Sequence, residues 1–138
     1  MNKICTDINQ SKKLIELGIP KNTADMFYAD IVINDEHKYN LHPLESYGFK
    51  TFKDTKERES AKLKFIPAWS LSALLKMFPN GVWYNNYYTV PILLPQIKNK
   101  WICRLYNPEN DTDITYIKDN PFDAVFEMIV WLKENNII

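Results

Sequence analysis

The chain has 138 residues, and its 17 Lys+Arg balance its 17 Asp+Glu, so it carries no formal net charge. A composition of 46% hydrophobic and 25% charged residues is that of an ordinary soluble globule and argues against a largely disordered chain. Neutrality argues against a general nucleic-acid binder, whose affinity comes mostly from neutralising phosphates.

The balance holds in both halves: residues 1–69 hold 11 basic and 10 acidic side chains, and residues 70–138 hold 6 and 7. Only Arg58 and Arg104 are arginines, which disfavours a surface that reads phosphates through guanidinium forks. The length predicts one globular domain over 1–138. Cys5 and Cys103 are read as free thiols of a reducing compartment. Residues 1–7 contain no apolar core of a signal peptide, and no run approaches the roughly 20 apolar residues that span a bilayer. A cytoplasmic location without membrane contact is expected.

The first helix is predicted over about 7–17. Thr6 or Asp7 caps it, and Ile8, Leu14, Ile15 and Leu17 are its apolar positions. Gly18 supplies the positive φ that ends it, Ile19 folds back on Leu14 or Ile15, and Pro20 blocks continuation. A short second helix is expected over 22–28. Ile31–Ile33 reads as a strand ending in a turn, with Lys38–Leu41 as its return. Residues 50–64 are charge-dense and are expected to form an exposed loop.

The third helix is predicted over 70–78. Ser70 is its N-cap, Trp69 and Leu74 form a hydrophobic staple, and Leu71, Leu74, Leu75 and Phe78 make one apolar face. From 82 to 118 the pattern turns β. Val82–Tyr84 and Tyr87–Thr89 flank Asn85-Asn86, two residues that tolerate a type I′ turn. Strand 88–94 places Tyr88, Val90, Ile92 and Leu94 on one face, and strands 100–106 and 113–117 follow. Pro91 resists this scheme, because it cannot donate to a ladder: either 88–94 is an edge strand and 82–84 is not paired to it, or a bulge sits at Pro91. The last helix spans about 120–135, capped by Asp119 or Asn120 with Pro121 at its start. It is apolar nearly all round, which predicts cover on more than one side. The class is α+β: an antiparallel meander of three to four strands, packed by three to four helices.

Chemical motifs are few. Gly18, Gly48 and Gly81 are the only glycines, so phosphate-cradling loops and a nucleophile elbow are absent. His37 and His42, with Asp35 and Glu36 beside them, are read as surface residues rather than a metal site. Asn110–Asp113 lacks the Gly and the distant Glu of a calcium loop. Asp123 and Glu127 share a helix face, but capping and a polar strip explain them better than acid–base catalysis. No catalytic residue, metal or cofactor is assigned.

Trp83, Tyr84, Tyr87 and Tyr88 form the most unusual local feature and the candidate interaction surface. Three readings stand: cross-strand pairs that pin a hairpin, anchors for a partner protein, or a platform for bases or other flat ligands.

The runs Ser11–Gly18, Thr23–Met26, Pro67–Leu75 and Asp123–Leu132 resemble a family of short uncharacterised proteins from gut Bacteroidetes and their prophages or mobile elements. The resemblance covers about half the chain and carries no catalytic signature. It implies a bacterial or phage origin and assigns no site residue. The leading expectation is therefore a non-enzymatic protein-interaction or accessory protein, with a protein partner or a second copy of itself as its ligand. The alternatives are a nucleic-acid-associated module, which needs Lys50, Lys53, Lys56, Lys62 and Lys64 gathered near Trp83 or Tyr87, and a small enzyme or ligand binder.

Overall fold

The computed structural model describes residues 3–43 and 64–138. Contacts along the chain divide it into two compact units: Cys5–Ser70, and Met1–Ile4 together with Leu71–Ile138.

The first unit opens with helix α1 (Ile8–Glu16). Asp7 caps it in a reciprocal box: its carboxylate accepts the Gln10 N–H at 2.8 Å, and the Gln10 side chain accepts the Asp7 N–H at 3.1 Å. Gly18 lies at φ 86°, and the N–H groups of Gly18 and Ile19 donate to the Ile15 and Leu14 carbonyls. That is the Schellman ending the sequence predicts. Pro20 then leads into one 3-10 turn, Lys21–Thr23.

Where a second helix is expected over 22–28, the chain enters strand β1 (Met26–Ile33) instead. Helical preference over so few residues is weak, and pairing on both edges overrides it. Strand β2 (Glu36–Pro43) returns antiparallel to β1 through Asn34 and Asp35, at φ 51° and 62°. This is a two-residue turn of the kind that matches the twist of a hairpin. Strand β3 (Lys64–Ala68) pairs with the other edge of β1, giving the order β2-β1-β3. Sequence reasoning missed β3, which is short and contains Pro67; as an edge strand it tolerates the missing donor. The charged stretch expected as a loop lies outside the described residues over 50–63, and Lys64 opens β3.

Leu14 and Trp69 are fully buried in this unit, with Phe27 and Ala29 close to it. The buried polar groups are satisfied. Thr6 and Trp69 exchange backbone and side-chain hydrogen bonds at 2.9–3.0 Å, and the Trp69 indole N–H donates to Thr23 Oγ1. Thr6 Oγ1 also meets Ser11 Oγ at 2.8 Å. Ser70 gives both its N–H and its hydroxyl to the Asp25 carboxylate.

The second unit begins with α2 (Leu71–Leu75), shorter than the helix expected to 78. Met77 and Phe78 donate to the Leu74 and Leu75 carbonyls, so the chain tightens into turns before Pro79. The single meander expected over 82–118 is instead two sheets. Strands β4 (Val82–Tyr84) and β5 (Tyr87–Thr89) form a hairpin. Strands β6 (Ile92–Pro95), β7 (Trp101–Asn107) and β8 (Thr112–Lys118) form a three-stranded antiparallel sheet in that order. The break falls at Pro91, which is buried between β5 and β6. A proline there ends one ladder, and the chain resumes as the edge strand of the next. The α+β class itself holds, with helices and antiparallel sheets in both units.

Helix α3 (Pro121–Glu134) packs on β7 and β8. Asn120 caps it by accepting the Asp123 N–H at 2.9 Å, and Pro121 sits at its first position. Val125, Met128, Ile129 and Leu132 are fully buried, as are Cys103 and Leu105 on the inner face of the sheet. No residue of α3 before Glu134 is exposed, as its continuous apolar pattern predicts. Asn136, at φ 56°, closes it with a second Schellman pair of bonds from Asn136 and Ile137. No described helix is long and apolar enough to cross a membrane.

Candidate interaction surface

Asn85 and Asn86 adopt φ 47° and 65°, so the β4–β5 hairpin closes with the predicted turn. Its register opposes Trp83 to Tyr88 and Tyr84 to Tyr87. Successive strand residues face opposite sides, so the four aromatics divide into two pairs. Tyr84 turns inward, its ring edge-on to Trp131 of α3 at 5.8 Å. Trp83 and Tyr88 turn outward, 72% and 56% exposed, with ring centroids 5.4 Å apart. Gly81 is what lets Tyr88 lie there: a Cβ at that position would fall 2.1 Å from the phenol ring.

The turn is held from below by a residue that sequence reasoning overlooked. Asn107 is fully buried, and its amide donates to the Tyr84 and Asn85 carbonyls at 3.3 and 2.9 Å. Its own carbonyl accepts the Glu109 N–H. Asn85 in turn donates to Thr112 Oγ1, which donates to Asn110. The Asn110–Asp113 run is thus a corner of β7–β8 that docks the aromatic hairpin. The only sequence signal for Asn107 is a polar residue at the end of an alternating strand.

Apolar exposure continues beyond the hairpin. Tyr88, Val90, Ile92 and Leu94 are all exposed, while of the residues between them Pro91 is buried and Thr89 and Leu93 are half-buried. The outward parity therefore survives the break at Pro91. Within the sheet, Leu94 pairs with Ile102 and Ile102 with Ile117, a cross-strand apolar row on the side away from Cys103 and Leu105. Ile117 is 53% exposed. The next outward row is Ile92, Arg104 and Thr115. Arg104 lies 4.1 Å over the Tyr106 ring and pairs with Asp113 at 3.0 Å. At the other end Lys100 pairs with Asp119. An antiparallel sheet with one wet face normally alternates apolar and polar residues, whereas this one carries one apolar row on its outward face as well. Each half-exposed aliphatic or aromatic side chain forgoes on the order of 1 kcal/mol of burial.

The other candidates resolve into structural roles. His37 and His42 are five residues apart on β2 and so face opposite sides. His37 Nδ1 lies 2.9 Å from the buried Asp30 carboxylate, and His42 stacks on Phe27. Among the described residues no three His, Cys, Asp or Glu gather as a metal would require. Asp123 binds Lys3 at 2.9 Å and the Asn120 amide, and Glu127 lies 3.9 Å from Lys118. Both cysteines are buried and unbridged, and burial pushes the Cys103 thiol up to about 12. Lys50, Lys53, Lys56 and Lys62, named for the nucleic-acid alternative, lie outside the described residues.

No family model, curated protein or solved structure matches the chain.

Proposed function

We propose that this protein is a non-enzymatic interaction or accessory protein of bacterial or prophage origin, and that the outward Trp83–Tyr88 pair is its docking surface. The observation that carries this reading is the exposure of both rings on a hairpin that is otherwise fully anchored, through Tyr84 on Trp131 and the turn on Asn107. A rigid, exposed aromatic pair loses little conformational entropy on binding, which is why Trp and Tyr dominate interface hot spots. The resemblance to short proteins of gut Bacteroidetes and their mobile elements supports the proposed origin.

Affinity capture of the tagged chain from its native host cells, beside the W83A/Y88A double variant, tests the proposal. A stoichiometric protein partner, or a second copy of the chain, is expected with the wild type and lost with the variant. A wild-type chain that recovers neither overturns it.

A further inference from the structure

We infer that the Asn80-Gly81 step leading into β4 is a site of self-modification, at which the Gly81 main-chain nitrogen attacks the Asn80 side-chain amide and converts it to aspartate or isoaspartate. The inference goes beyond the docking reading and stands whether or not a partner binds.

The sequence singles out this step. Of the chain's asparagines only Asn80 is followed by glycine. The attack needs a following N–H that can swing onto Cγ, and a glycine, with no Cβ, reaches the required conformations at least cost. Asn107 and Asn120 precede prolines, which have no N–H to give. The Asn85 amide is engaged with Thr112 Oγ1, and the bulkier Asn86 follows it.

The structure leaves both reacting groups able to meet. Asn80 is exposed, in a bend between Pro79 and β4. Among the described residues no hydrogen bond holds its amide or the Gly81 N–H. The hairpin register accounts for the second. A two-residue turn makes Tyr84–Tyr87 and Val82–Thr89 the hydrogen-bonded pairs. Gly81, one position before Val82, turns its N–H to the other side, and no described strand flanks β4 there.

The reaction balances with water as its only co-reactant. The Gly81 nitrogen bonds to Asn80 Cγ and gives up its proton. The Cγ–Nδ2 bond breaks, ammonia leaves with that proton, and a cyclic imide closes. Water then opens the imide at either carbonyl. Opening at Cγ gives aspartate, and opening at the main-chain carbonyl gives isoaspartate, whose main chain runs through Cβ. Either product puts one negative charge on a chain with no net charge.

Isoaspartate also lengthens the main chain by one atom just before β4. The Tyr88 ring lies against the bare Cα of Gly81, where even a Cβ would fall 2.1 Å from it. A shift of Gly81 must therefore move Tyr88, and with it the Trp83–Tyr88 pair, whose centroids stand 5.4 Å apart. The step is a slow and irreversible alteration of the outward aromatic surface, timed by the chain itself rather than by an enzyme.

The test is ageing of the full chain at mildly alkaline pH. Peptide mapping distinguishes asparagine, aspartate and isoaspartate, and near-UV circular dichroism follows the aromatic pair. Asn80 is expected to convert before any other asparagine, at a rate that rises with hydroxide concentration. Asn80→Ser, at an exposed position and without an amide, should age with its spectrum unchanged. Gly81→Ala should slow the conversion about tenfold or more. Aged wild type should change its near-UV spectrum, whereas fresh Asn80→Asp, which adds the charge without the extra main-chain atom, should match fresh wild type. An Asn80 that survives while another asparagine converts overturns the inference, as does a Gly81→Ala chain that converts as fast as the wild type. Isoaspartate at position 80 with an unchanged spectrum overturns its effect on the aromatic pair. The capture experiment uses fresh protein, so this inference and the docking reading fail separately.

Discussion

Asn107 is the residue on which the outward aromatic pair most depends. It sits fully buried and spends both ends of its amide, donating to two turn carbonyls and accepting the Glu109 N–H. Truncation removes all three bonds from a buried side chain, a penalty of roughly 1–3 kcal/mol. Asn107→Ala is therefore expected to lower the stability by about 2–3 kcal/mol, read as a fall in the urea midpoint at constant slope. Trp83 and Tyr88 should then lose their fixed geometry. An unchanged midpoint would mean that the amide bonds stabilise nothing. Beyond its place at the end of an alternating strand, nothing in the sequence distinguishes Asn107 from the other loop asparagines nearby, because its role depends on two carbonyls more than 20 residues away. Gly18 was readable for the opposite reason: its helix supplies every partner within a few positions.

At the scale of elements, legibility follows the same division between local and distant causes. Helices α1 and α3 were predictable from caps, an ending glycine or proline, and a continuous apolar period. The Asn85-Asn86 turn was predictable because two adjacent asparagines tolerate left-handed backbone. Strand β1 was not, since Met26-Phe27-Tyr28 suits a helix as well as a strand until β2 and β3 flank it. Of the candidate site, the aromatic composition was visible, but its inward and outward division needed the register. The turn also offers a test. Glycine occupies φ near 65° without the strain asparagine bears, so Asn86→Gly should stabilise the hairpin by about 0.5–1 kcal/mol. Asn86→Val should destabilise it by about 1–2 kcal/mol. Thermal melts of the two variants should move in opposite directions from the wild type. A shift in the same direction would rule out the assigned backbone geometry.

For the whole molecule, the buried Cys103 thiol and the half-buried Tyr28 phenol contribute to the response to alkali. Burial raises the Cys103 thiol from 9.0 to about 12, and burial followed by the Cys5 contact also raises the Tyr28 phenol. Both are acids that stay neutral in the folded chain and ionise in the unfolded one. Above pH 9 the native state therefore holds more protons than the unfolded state, and stability must fall as pH rises. The contribution of Cys103 is complete below pH 9 and is lost progressively toward pH 12. Denaturation midpoints should be level from pH 7 to 8 and should decline from pH 9 upward. Cys103→Ala should weaken that decline, whatever it does to stability at neutral pH. A midpoint in the variant that falls as steeply as in the wild type would show that the thiol is not the titrating group.

Pro91 joins two sheets without changing the phase of the chain. Tyr88 and Val90 before it and Ile92 and Leu94 after it all point outward, so one even-numbered series crosses from the hairpin to the sheet. That makes this segment arithmetic in character. Substitutions along it act one position at a time, but inserting or deleting a single residue between Thr89 and Ile92 would set the two sheets out of phase, turning outward side chains of one toward its core. Adding two residues would restore the phase. Over evolutionary time the segment should therefore drift freely in chemistry while resisting odd changes in length.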